Sequence, residues 1–174
     1  MAQTTASNPN QIRDEDKLRG SSFLAIQSAM PVFQTHGLNP AQYRAVVTGA
    51  GASAVTVFVE KESQARSVGV RQGQEMSPAD LSAAMAQAAP TEPRDAIQAT
   101  SIAPVATAVE ALRRFKIDLN LYLITLAREK ASLFVIFTDK DAPPGGFGAS
   151  GKRPGYEVEL NAQNLSVVRS NLIR

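Results

Sequence analysis

The sequence predicts an α+β protein made of two repeated units packed together, each a helix followed by an antiparallel meander. Three observations predict it. Apolar residues recur at helical spacing twice, at Phe23, Ile26, Met30 and Phe33, and again at Val105, Val109 and Leu112. Each stretch is followed by β-branched and aromatic runs separated by short turns. Over the helix and first hairpin the two halves align without a gap at a spacing of 79 residues, which pairs Tyr43 with Tyr122 and Phe58 with Phe137.

Residues 1–20 are polar and carry a mixed-charge run, so they are expected to form a disordered arm. The first helix–hairpin unit is expected over residues 21–75. Its helix should be kinked or interrupted at Pro31 and stop near Gly37. "QYRAVVTG" and "AVTVFVEKE" then read as a hairpin around "AGAS", and "ARSVGVR" as a third strand. Residues 76–101 are expected to hold a linking helix and a linker. In "SPADLSAAMAQAA", Ser77 can cap, Pro78 suits the first turn and Asp80 completes a capping box. "PTEPRDAIQATS" reads as linker, since it has two prolines and few large apolar residues. The second helix–meander unit is expected over residues 102–174. Its strands are "LNLYLITLA", "SLFVIFTD", "YEVELN" and "LSVVRSNLI", with Glu157 and Glu159 on a wet face opposite Tyr156, Val158 and Leu160.

Composition excludes several chemistries. The chain has 174 residues and no cysteine, so neither a disulfide framework nor a thiolate metal site can form. Its one histidine, His36, cannot make a histidine-rich metal centre, and no carboxylate cluster has calcium-loop spacing. No metal and no cofactor are therefore expected. The net charge is +2, too slight for a dedicated nucleic-acid surface. No apolar run approaches the ~20 residues that cross a bilayer, so no membrane partner is expected. The amino terminus lacks a secretory apolar core, which makes a cytoplasmic location the expectation.

The 79-residue spacing also pairs Ile26 with Val105, Met30 with Val109, Phe33 with Leu112, Val55 with Phe134 and Val57 with Ile136. A helix followed by an antiparallel meander resembles the cystatin-like fold in its order of elements, over about residues 22–72 and 102–174. The resemblance implies a curved sheet wrapped around a helix. Cystatins inhibit cysteine proteases through a Gln-x-Val-x-Gly hairpin loop. The comparable stretch here is Ala45-Val46-Val47-Thr48-Gly49, with alanine in place of glutamine, and the chain has no tryptophan for the second inhibitory loop. Protease inhibition is not expected.

The stretch "PPGGFGASGKRPG" fits G-x-x-x-x-G-K from Gly146 to Lys152. A phosphate-binding loop needs a Ser or Thr next and then a helix. Arg153, Pro154 and a strand follow instead, so the stretch reads as a long flexible loop. Lys152 and Arg153 on it are candidates for an anionic partner. His36 reads as a cation at a helix C-terminus. Arg113, Arg114 and Lys116 read as a solvated face.

Two functions are expected from these residues. The first is a non-catalytic binding or interaction protein that acts through its sheet face or edge. Its partner would be another protein or itself, with a homodimer or other homo-oligomer expected. The second is a small-molecule-binding protein or enzyme with a pocket between helix and sheet. Its candidate ligand-binding residues are His36, Tyr43, Tyr122, Lys152 and Arg153, with no catalytic residue assigned.

Overall fold

The computed structural model describes residues 17–63, 66–87, 95–143 and 148–174. It is a mixed α+β structure with two antiparallel five-stranded sheets. In chain order the elements are β1 (Lys17–Arg19), α1 (Gly20–Thr35), β2 (Tyr43–Thr48), β3 (Val55–Glu60), β4 (Ser67–Arg71), β5 (Gln74–Glu75), α2 (Pro78–Gln87), β6 (Asp95–Gln98), α3 (Ile102–Ala111), β7 (Tyr122–Glu129), β8 (Ser132–Asp139), β9 (Gly155–Asn161) and β10 (Val167–Ile173). One sheet has the order β5-β4-β3-β2-β6 and the other β1-β7-β8-β9-β10.

The first helix buries Phe23, Ile26 and Phe33, the face expected from their spacing. It runs through Pro31 to Thr35 without a break, which corrects the expected interruption. Pro31 lies on the exposed side, where water can serve the carbonyl left without its amide partner. Thr35 Oγ1 also donates to the Pro31 carbonyl at 2.9 Å. Gly37 follows the helix at φ 61° and ends it. Ser77 Oγ accepts from the Asp80 amide at 3.1 Å and donates to its carboxylate at 2.8 Å, so the predicted cap of α2 forms.

Besides the two-residue β5, two short strands were not expected. Lys17–Arg19, inside the expected arm, form β1, and Asp95–Gln98, inside the expected linker, form β6. Residues 1–16, and Pro90 and Pro93 of the linker reading, lie outside the described residues. Each short strand carries one side chain into the core, Leu18 at 3% exposure and Ile97 at 0%. Each also joins the sheet of the other half. β1 precedes α1 but pairs with β7, whereas β6 precedes α3 but pairs with β2.

Several pairings recur 79 residues apart. Leu18 opposes Ile124, and Ile97 opposes Ala45. Tyr43 opposes Glu60, and Tyr122 opposes Asp139. Before β2, the Asn39 side chain accepts from the Ala41 amide at 3.0 Å; before β7, Asp118 accepts from Asn120 at 3.0 Å. The inner faces of both sheets and the buried sides of α1 and α3 meet in one core. Gly20 allows the close approach at its centre, since a Cβ there would sit 1.9 Å from the Leu119 carbonyl oxygen.

Candidate functional site

Four places hold the chemistry. The first is the end of β8. Asp139 has a fully buried side chain, and Arg153 Nη2 donates to its Oδ1 at 2.9 Å. Ser150 Oγ donates to its Oδ2, and the Asp141 amide donates to Oδ1 at 3.1 Å. Burial by itself would raise the Asp139 pKa. The hydrogen bonds from Ser150, Arg153 and the Asp141 amide, with the Arg153 charge, outweigh it and lower the carboxyl to about 2. The Arg153 guanidinium also reaches the Asp141 carboxylate. Tyr122 donates to the Pro154 carbonyl at 3.0 Å. Burial, then the neighbouring Tyr156 and Asp139, raise its phenol above the usual value, so it remains a donor.

This geometry ties down both described ends of the glycine-rich loop, whose residues 144–147 lie outside the described residues. The Asp139 amide also bonds the Gly148 carbonyl at 2.9 Å. Arg153 is therefore committed to two carboxylates, while Lys152 is exposed. Tyr122 and Arg153 do meet here, through Asp139 and Pro154.

The second place is on the other sheet, where the other two candidates lie apart, one at the β5 margin and one on β2. His36 caps α1, and its Nε2 lies 2.9 Å from Glu75 Oε1 at the sheet margin. Tyr43 is 2% exposed, with Phe33 packed edge-on at 5.6 Å between ring centres. Tyr43 and Tyr122 lie on different sheets. The five candidates therefore form no single cluster.

The third place is a cleft of about 300 Å³ between α1 and the inner face of the β2–β5 sheet. Thr56 lines it at 1% exposure, and its Oγ1 has no hydrogen-bond partner. Beside it, Asp95 accepts from Arg19 Nε at 2.7 Å and from Ser22 Oγ. Among the described residues no cluster of three or more His, Asp or Glu could hold a metal ion.

The fourth place is β10. It ends its sheet and spans seven residues, while the other terminal strands, β1, β5 and β6, span three, two and four. Val167, Val168 and Leu172 are 46%, 56% and 41% exposed. Its charged side chain, Arg169, pairs with Glu159 at 2.6 Å. The hydrogen bond from Ser132 lowers the Glu159 carboxyl, burial opposes it, and the hydrogen bond and charge of Arg169 add to the lowering, so the carboxyl stays below its usual value. Neither Thr56 nor β10 was singled out by sequence. Thr56 is the lone hydroxyl in the run "VTVFV", and β10 is an apolar run with one charge. Both signals were present but had no neighbours to give them meaning.

No family model, curated protein or solved structure matches the chain. Among the described residues, no helix is long and apolar enough to cross a membrane.

Proposed function

We propose that this chain is a non-catalytic interaction protein that associates with a second copy of itself by pairing β10 with β10. The observation that carries the reading is β10, a seven-residue strand that ends its sheet among the described residues and exposes Val167, Val168 and Leu172. Exposed edges offer unpaired amides and carbonyls, and proteins that stay monomeric usually blunt them with lysine, proline, brevity or a β-bulge. β10 has neither lysine nor proline and is long, with one bulge between Val167 and Arg169. The sequence of β10 is self-complementary in an antiparallel pair centred on Ser170. Arg169 then faces Asn171, and Val168 and Val167, at and beyond the β-bulge that interrupts the strand between Val167 and Arg169, come near Leu172 and Ile173 of the other copy. Apolar meets apolar, and no like charges are directly opposed.

We infer that the two halves are copies of one cystatin-like helix–meander unit that exchange their leading strands. The recurrence of pairings between β1–β7 and β6–β2 supports it.

The test is the solution mass of the wild type and of Val168→Lys by light scattering. The proposal expects twice the 18.5 kDa chain mass for the wild type at tens of micromolar, and 18.5 kDa for the variant. A wild type that stays at the mass of one chain would overturn it.

A further inference from the structure

We propose that the cleft between α1 and the β2–β5 sheet binds a small uncharged molecule with an apolar body and one hydrogen-bonding group. The deciding residue is Thr56. It sits on β3 between Val47 and Val70, facing α1. A buried hydroxyl without a partner is disfavoured unless some guest group meets it. The same cleft is lined by Leu24, Ala25, Val47, Ala54 and Val70, which supply an apolar body site. None of the lining residues carries a charge. Polar side chains such as Ser22, Ser28 and Gln72 also line it, but no lining charge offsets the cost of desolvating an ion, so the site favours a neutral guest.

The other sheet explains why the cleft exists. The position 79 residues after Thr56 is Val135, and the one after Ala54 is Leu133. These two are 0% and 2% exposed and fill the core there. An alanine for a leucine leaves space on the β2–β5 side, and a threonine for a near-isosteric valine puts a hydroxyl beside it. At about 300 Å³ the cleft stands at the lower end of ligand sites. It suits a guest of on the order of ten non-hydrogen atoms, at the ~30 Å³ a liquid water occupies.

The probes are benzyl alcohol, toluene and benzoate, titrated into the full chain and followed by amide chemical shifts. Benzyl alcohol is expected to shift the amides of residues 21–28 and 54–58 and to bind about 3–10-fold more tightly than toluene. Benzoate is expected to shift none of them. Thr56→Val should bring the alcohol preference to about one while toluene still binds, and Thr56→Ser should keep the preference. Ala54→Leu should block both neutral probes. Unmoved amides with benzyl alcohol, meaning a cleft that holds water only, would overturn the proposal. So would an unchanged preference in Thr56→Val.

Discussion

On the outer side of β4, Leu81 of α2 lies so close to Gly69 that a Cβ there would come within 2.6 Å of it. Val55 and Val57 on the same outer face are 3% and 2% exposed. On the other sheet, the positions 79 residues later are Phe134 and Ile136, which are only partly buried. The inner faces differ too. The β2–β5 side has a cleft at Thr56, whereas the β7–β10 side is filled by Val135 and Leu133. The frame of hairpin register is shared, and the additions are not. One sheet is capped by a helix and open inside; the other is filled inside and ends, among the described residues, in the seven-residue β10. The proposed functions lie where the two sheets differ.

The largest expected effect comes from removing the filling residue of the second sheet. Leu133→Ala should cost about 3 kcal/mol in urea unfolding. Ala54→Leu, the reverse exchange in the first sheet, should change stability by less than about 1 kcal/mol, because it enters existing space. Equal and opposite costs would break the comparison.

Next come the acids at the ends of β3 and β8. Asp139→Ala should cost about 2–4 kcal/mol, since it strands Arg153 and Ser150. Glu60→Ala, the counterpart, should cost under about 0.5 kcal/mol, because its partner Ser63 is exposed. The pH dependence follows the same contact. A folded-state pKa of about 2, below the ordinary 3.8, contributes stability above about pH 4 that is lost as pH falls towards 2. Asp139→Asn should flatten that part of the stability–pH curve measured by thermal unfolding. The lowered Glu159 acts in the same direction.

Smaller effects test the cap and the margin. Leu81→Ala should cost about 1 kcal/mol, because Leu81 is itself partly exposed. His36→Ala should cost no more than about 0.5 kcal/mol in chemical denaturation, as its partner Glu75 is half-exposed.

Periodicity made the main elements legible. The helices at Phe23–Phe33 and Val105–Leu112 and the long strands follow patterns contained within single segments. β1 and β6 were not legible, because three or four residues carry no period and their pairing is with distant strands. Pro31 misled because its exposure is set by tertiary packing. The tyrosines attracted attention as polar aromatics, yet Tyr43 is core and Tyr122 a brace for a loop. Thr56 matters through the smaller residues around it, which only the folded sheet brings together.

The central claim is that two copies meet along β10 in a two-fold pair centred on Ser170. The chain has no cysteine, so Ser170→Cys would place one thiol per copy. Directly opposed residues in antiparallel strands have Cα atoms about 4.5–5.5 Å apart, within disulfide reach. Mild oxidation of Ser170→Cys at micromolar concentration should therefore give a disulfide-linked dimer on a non-reducing gel, and Val168→Lys in the same chain should prevent it. A thiol at residue 170 that stays free would contradict the account.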